Sequence, residues 1–114
     1  MPLLAGSDVA NPFSFYGAGL HDELGLFVEA GLSPLEALQT ATLNPARFLS
    51  ATDSLGTLET GKLADLVLLD ANPLQDIRNV RHPRAVVLNG EFLNRSFLDS
   101  LLSHVTEALS SAAR

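Results

Sequence analysis

The spacing of hydrophobic residues in the first fifty positions predicts one strand followed by helices. The apolar run Leu3–Ala5 ends in Gly6-Ser7-Asp8, a pattern typical of a buried strand that delivers a carboxylate to a loop. Apolar residues then recur at i, i+4, i+7 and i+8, which indicates one face of a helix. They are Leu20, Leu24, Phe27 and Val28, with Asp22 and Glu23 in the predicted first turn and Gly31 as the predicted C-cap.

Two further helices are predicted by their start signals. Ser33 is the expected N-cap of the second helix, with Pro34 at its first position and Glu36 completing a capping box. Asn44-Pro45 marks the start of a short third helix. Leu35, Leu38 and Thr42 are expected to share one face of the second helix.

The second half of the chain carries short apolar runs between turns, which predicts strands. Leu66–Leu69 is a continuous apolar strand, and a turn-rich connection spans residues 70–83. Asn89-Gly90, between two apolar runs, predicts a hairpin with a type I′ turn. An amphipathic helix follows, with Ser96 and Asp99 as its predicted cap. Its apolar stripe comprises Phe97, Leu98, Leu101, Leu102, Val105, Ala108 and Leu109.

These elements do not form an obvious self-contained core. A continuous apolar strand such as Leu3–Ala5 needs paired neighbours on both sides, and none is evident among the first fifty residues. We therefore expect the sequence to be part of something larger.

Composition narrows the function. The 114 residues carry a net charge of −6, without the basic patch that nucleic acids or anionic membranes require. There is no cysteine, which excludes disulfides, thiolate zinc sites and a cysteine nucleophile. No apolar run approaches the length that spans a bilayer, and Met1-Pro2-Leu3 lacks the charged leader of a signal peptide. A cytoplasmic protein that binds neither nucleic acid nor membrane is expected.

Asp8 is the first candidate for chemistry. At the carboxyl end of a strand it suits a metal ligand or proton shuttle, but an Asp there can equally cap its own turn. The histidines His21, His82 and His104 lie far apart and show no metal-binding spacing. His21 either lies near a site or simply opens the first helix. A serine hydrolase is excluded, since the chain has no G-x-S-x-G elbow.

Three segments carry a resemblance to a known family. They are "EAGLSPLEALQTATLNPA", "LGTLETGKLADLVLLDANP" and "VVLNGEF", with "LAGSDV" ahead of them. Their order and spacing resemble the C-terminal part of the metal-dependent amidohydrolase superfamily, in its imidazolonepropionase-like and Xaa-Pro dipeptidase-like branch. The resemblance covers about residues 3–95.

The resemblance implies an α/β fold made of a partial (β/α)8 TIM barrel and part of a small β-sandwich. Residues 1–50 would be the end of the barrel, with residues 2–8 as its last strand and residues 20–50 as the helices that follow. Residues 51–95 would be the C-terminal strands of the sandwich. Residues 96–114 would be a terminal amphipathic helix that packs back on the barrel.

The resemblance also implies hydrolysis of amide or related C–N bonds in a small molecule, by a water that one or two divalent metals activate. Zinc is the usual metal, and Asp8 is the residue carried over as both catalytic acid and metal ligand. The family's other ligands, an H-x-H pair, a Lys or Glu bridge and two further histidines, have no counterpart in the chain. One carboxylate cannot hold a catalytic zinc, so the chain alone is expected to bind no metal and to be inactive.

Three hypotheses remain open from the sequence. The chain is a fragment of such a hydrolase, with activity in the longer parent that supplies the N-terminal barrel. Alternatively, it is a non-catalytic interaction module that self-associates or complements a separate N-terminal chain, because orphaned apolar faces usually mark interfaces. The third is a small independent hydrolase that uses Asp8 and His21 from two subunits.

Overall fold

The computed structural model describes residues 2–7 and 17–112 as an α/β fold with helices first and a sheet after them. A 3-10 helix lies between the first two strands, and a long helix follows the third. The elements are α1 (Ala18–Glu29), α2 (Pro34–Thr40), α3 (Leu43–Phe48), β1 (Leu66–Leu69), the 3-10 helix (Ile77–Arg81), β2 (Pro83–Leu88), β3 (Glu91–Asn94) and α4 (Arg95–Ala112).

The predicted strand Leu3–Ala5 makes no β-ladder with the part of the chain that the structure describes. It is held by helices instead: the Ala5 N–H donates to the Thr40 carbonyl at 2.9 Å, and the Asn44 side chain donates to the Leu3 carbonyl at 2.9 Å. A strand needs neighbouring backbone to pair with, and the described sheet is built from β1, β2 and β3. A barrel strand at this position therefore stays a prediction.

The first helix begins earlier than its apolar pattern predicts. Because α1 starts at Ala18, Asp22 and Glu23 lie beyond its first turn, and their predicted place in that turn is wrong. The end of the helix is as predicted: Gly31 follows it with φ of +113° and donates its N–H to the Val28 carbonyl.

The second helix confirms its start signal, and small residues form its buried face. The Ser33 hydroxyl accepts from the Glu36 N–H at 3.2 Å, and the Ser33 N–H donates to the Glu36 carboxylate at 2.8 Å, completing the capping box. Ala37 and Thr40 are the buried residues of α2, whereas Leu35 is 53% exposed. Small side chains take the inner face because α1 and α3 both pack against this short helix.

The main cluster of buried residues joins the helices to the segment before β2. Leu24 of α1, Ala37 of α2 and Ile77 of the 3-10 helix are each less than a tenth exposed and pack together. Asp76 caps the 3-10 helix by accepting from the Arg78 N–H at 2.9 Å. The sequence predicts only a turn-rich connection here. The 3-10 helix and the burial of Ile77 are therefore features that the sequence pattern does not predict.

The sheet is a three-stranded antiparallel meander in the order β1-β2-β3. Val86 of β2 pairs with Val67 on one side and with Leu93 on the other. Asn89 and Gly90 have φ of +50° and +80°, as a type I′ turn requires, which confirms the predicted hairpin.

The last helix starts one residue earlier than Ser96, with a different cap. The Asn94 side chain accepts from the Phe97 N–H at 2.9 Å, and Asp99 instead forms an ion pair with Arg95 at 3.0 Å. The predicted cap of Ser96 and Asp99 is therefore wrong. The helix contacts β2 and β3, yet much of its apolar stripe is exposed. The exposed members are Phe97, Leu101, Leu102, Val105 and Leu109.

Two glycines in the loop before β1 provide a matched test of close packing. Gly56 and Gly61 have φ of +95° and +94°, so a side chain at either position strains the backbone by about 1–2 kcal/mol. A Cβ at Gly56 would also lie 2.7 Å from the Cβ of buried Ala46, while one at Gly61 meets open space. We expect Gly56→Ala to lower the free energy of unfolding by about 1–3 kcal/mol more than Gly61→Ala. Equal urea midpoints for the two variants would contradict this packing.

Candidate active site

Asp8, the carboxylate nominated by the sequence, lies outside the described residues. The structure does describe the chain on both sides of residues 8–16. Ser7 precedes Asp8, and Gly17 leads into α1. The described structure therefore shows the elements that hold these two ends.

The upstream end is fixed by hydrogen bonds from the turn between α2 and α3. Thr40 is 1% exposed and satisfies its own hydroxyl by donating to the Ala37 carbonyl at 2.6 Å. Its main-chain carbonyl accepts the Ala5 N–H, and Asn44 reaches the Leu3 carbonyl. The main chain of Leu3 is thus bound to Asn44 of α3, and that of Ala5 is bound to Thr40 of α2.

The downstream end approaches the upstream end closely at Gly19. A Cβ placed on Gly19 would lie 3.1 Å from the Ser7 Cβ, a tight contact that a glycine avoids. The two ends therefore meet beside the first turn of α1. An open depression of about 440 Å³ lies beside this contact. Its lining residues are Ser7, Gly19, Asp22, Glu23, Leu26, Phe27 and Ala30.

His21 lies in the first turns of α1, half-buried near a charged pair. Burial lowers the pKa of His21, the Arg81 guanidinium lowers this pKa further, and Asp22 opposes both by raising it. Arg81 forms an ion pair with Asp22, which ties α1 to the 3-10 helix. The geometry keeps His21 neutral over a wider pH range than a free histidine. These surroundings of His21 are compatible with packing of α1 as well as with a place in an active site.

The other histidines do not join this region. His82 is exposed after the 3-10 helix, where its carbonyl accepts the Asp70 N–H at 3.1 Å, and His104 is exposed on α4. Within residues 2–7 and 17–112, no three His, Asp or Glu side chains come together in a group that could hold a metal ion. The described residues therefore do not fit a catalytic metal by themselves, and no reaction step through a metal is derived from them.

Sequence reasoning missed the residues that hold the candidate site. Asn44 carried a signal as a helix-start residue, but its partner lies 41 residues away and no local pattern indicates it. Gly19 carried no assigned role, and Arg81 stood in the predicted turn-rich connection of residues 70–83. Contacts between distant segments define all three roles.

The chain belongs to the amidohydrolase family, whose model matches residues 6–93. This range runs from the segment held by α2 and α3 through the third strand. It covers most of the chain and includes Asp8. The recognition of the amidohydrolase family from the sequence is confirmed.

Similar proteins include several enzymes of different names. Adenine deaminase 2 of Jannaschia sp. (strain CCS1) is 49% identical over 55 residues, which are 48% of this chain and 9% of that protein. Imidazolonepropionase of Geobacillus sp. (strain WCH70) is 38% identical over 72 residues, 60% of this chain and 17% of that protein. The chain thus spans less than a fifth of the length of these curated relatives.

A solved structure shares the architecture of the described region. The crystal structure of a Xaa-Pro dipeptidase with bound methionine in the active site matches with a TM-score of 0.63 and 35% identity. The match covers 66% of this chain and 18% of that one.

No helix in the described part of this chain is long and apolar enough to cross a membrane.

The lowered pKa of His21 predicts a loss of stability on acidification. In the unfolded chain, His21 takes up a proton near its ordinary pKa of 6.5, whereas in the folded chain it does so only at lower pH. Protons therefore favour unfolding. The contribution of His21 is present above pH 6.5 and is lost as the pH falls from that value through the lower pKa of His21 in the folded chain. We expect His21→Gln to flatten the fall in unfolding free energy between about pH 7.5 and 5.5.

His104→Gln, which removes the exposed imidazole of α4, is the matched control, and an equal flattening in this variant would contradict the prediction. Urea denaturation at a series of pH values provides the measurement. A wild-type slope in His21→Gln would show that His21 does not carry the effect.

Proposed function

We propose that this chain supplies the C-terminal part of a metal-dependent hydrolase of the amidohydrolase family. The proposed substrate is a small molecule with a non-peptide or dipeptide C–N bond. The observation that carries the proposal is the family match over residues 6–93, which includes the one carboxylate that the sequence nominates. The names of similar proteins, among them an imidazolonepropionase and an adenine deaminase, support hydrolysis of such bonds.

Asp8 is the proposed catalytic residue and metal ligand. Its role would be to hold and pass on a proton at its carboxylate oxygen, as general acid–base groups do. The proposed cofactor is zinc or another divalent metal, and such a metal normally needs three protein ligands and an open position. The described residues offer no such set, so the other ligands would come from elsewhere and the chain alone would be inactive.

The proposal assigns a part to each segment. Residues 1–50 would complete a TIM barrel, residues 51–95 would contribute strands to a β-sandwich, and residues 96–114 would form a helix against the barrel. The N-terminal barrel portion is the proposed partner. Cytoplasmic location is part of the same proposal, in keeping with a chain that has no cysteine.

The test uses the natural gene product that contains this sequence, purified with Zn²⁺. It is assayed against Xaa-Pro dipeptides, adenine and an imidazolone, which the names of similar proteins suggest. We expect Asp8→Asn to lower kcat by about 100-fold or more on whichever compound is hydrolysed, because a positioned proton-transfer group contributes that much. Asp53→Asn, an exposed carboxylate after α3, is the control and should retain activity. Full activity of Asp8→Asn would contradict the assignment.

A second candidate function is an interaction module, and it rests on exposed apolar surface. The accessible surface is 8362 Å², against roughly 6,000 Å² for a compact folded monomer of this mass. Leu102 and Leu109 of α4 are 65% and 67% exposed. Surface of this kind favours self-association or a separate N-terminal chain as partner.

Sedimentation of the 114-residue chain tests the self-associating module. A module of this kind sediments as a dimer or larger, and Leu102→Asp shifts it to the monomer mass of 12.1 kDa. Ser103→Asp adds the same charge on the side of α4 opposite Val105 and should leave the assembly intact. A wild-type chain that sediments as a 12.1 kDa monomer would rule out self-association.

A further inference from the structure

The turn that joins β2 to β3 contains two residues that are able to react with each other. The main-chain nitrogen that follows an asparagine can attack the side-chain Cγ of that asparagine, and a glycine leaves the approach free of a Cβ. Asn89 is followed by Gly90, and both residues are exposed. The hairpin needs this pair, because φ is +50° at Asn89 and +80° at Gly90. The residues that build the turn are therefore also a reactive pair.

The other asparagines of the chain lack such a neighbour. Proline has no main-chain N–H, and the side chains of valine and arginine crowd the nitrogen of their own residue. Asparagine precedes one of these three residue types at Asn11-Pro12, Asn44-Pro45, Asn72-Pro73, Asn79-Val80 and Asn94-Arg95. Asn89 is therefore the position at which the sequence favours the reaction.

The segment before β1 holds both main-chain N–H groups of the turn. The Asp65 carboxylate accepts the Asn89 N–H at 2.7 Å, and the Ala64 carbonyl accepts the Gly90 N–H at 3.0 Å. The first bond is charge-assisted and hence the stronger of the two. The Gly90 nitrogen attacks only after it loses its proton, and a hydrogen-bonded amide releases its proton only when the bond opens. The two contacts therefore keep the attacking nitrogen protonated and in place.

We propose that Asn89 is a site of self-modification and that Ala64 and Asp65 restrain the reaction. When the turn opens, the Gly90 nitrogen loses its proton to solvent and forms a bond to Asn89 Cγ. The bond from Cγ to Nδ2 breaks, and Nδ2 takes up a proton and leaves as ammonia. Water then opens the cyclic imide at either of its carbonyls, which gives aspartate or isoaspartate at position 89. The reaction needs no oxidant and no reductant.

The modification weakens the contact that restrains it. Both products carry a carboxylate on the residue whose N–H the Asp65 carboxylate binds, and like charges repel. Isoaspartate also adds a methylene group to the main chain, which changes the length of a two-residue turn. Conversion of Asn89 therefore loosens the hairpin from the segment before β1.

The test follows conversion in the 114-residue chain at neutral pH. Tandem mass spectrometry of the tryptic peptide Ala85–Arg95 locates each converted residue, and Asn94 in the same peptide is an internal control. Asp65→Ala removes the carboxylate acceptor, whereas Asp65→Asn keeps an oxygen acceptor. Asp70→Ala is the matched control, because Asp70 flanks the other end of β1 and binds the Arg84 side chain at 2.7 Å.

We expect Asn89 to convert while Asn94 does not, and to convert faster in the urea-unfolded chain than in the folded chain. Asp65→Ala should accelerate conversion in the folded chain by about tenfold, the effect of one lost hydrogen bond to a charged group. Exchange of the Gly90 amide proton, followed by NMR, should rise in step. Asp65→Asn should show a smaller acceleration, and Asp70→Ala should match the wild type.

Three results would overturn the proposal. An unfolded chain that does not convert at Asn89 would show that this position is not a modification site. Equal rates in the folded and unfolded wild-type chain would show that the fold does not restrain the reaction, and this comparison requires no variant to fold. An equal acceleration in Asp70→Ala and Asp65→Ala would show that the contact of Asp65 with the turn is not the restraint.

Discussion

The contact between Leu24, Ala37 and Ile77 holds the described fold together. These residues come from α1, α2 and the 3-10 helix, so their packing is what joins the helices to the segment that leads into the sheet. Burying a leucine or isoleucine side chain contributes about 1.5–3 kcal/mol, and two such residues cannot stabilise a chain of this length by a wide margin. The ion pair between Arg81 and Asp22 also joins the 3-10 helix to α1, at the surface.

Because the core is small, the sheet and the last helix keep apolar side chains exposed to solvent. Along one face of the sheet, Leu66, Val87 and Phe92 stand in register, and Phe92 is 65% exposed. The opposite face presents Val67 and Leu88, both more than half exposed. A three-stranded sheet with two apolar faces suits a position inside a larger protein. This agrees with relatives that this chain matches over less than a fifth of their length.

Local chemistry made part of this structure predictable from the sequence. The capping box of Ser33 and Glu36, the turn at Asn89-Gly90 and the strand Leu66–Leu69 each depend on neighbouring residues, and all three are present. The cap of α4 was misjudged by two residues, because Asn94 and Ser96 are both able to cap a helix and only the packed backbone selects between them.

Other features depend on contacts between distant segments and left no local signal. The 3-10 helix forms where Ile77 reaches Leu24, and the role of Asn44 depends on a carbonyl 41 residues away. The candidate site was nominated from one residue, Asp8, on the strength of a carboxylate after an apolar run and a family resemblance. Family membership is confirmed over residues 6–93, while the role of Asp8 stays a prediction.

The central claim is that this sequence functions as part of a larger amidohydrolase. The most direct test is the mass of the polypeptide that carries it in its source cells, measured on a denaturing gel with an antibody against α4. The account predicts a band several times heavier than 12.1 kDa, since relatives devote only 9% to 17% of their length to the matched region. A single band at 12.1 kDa would contradict it.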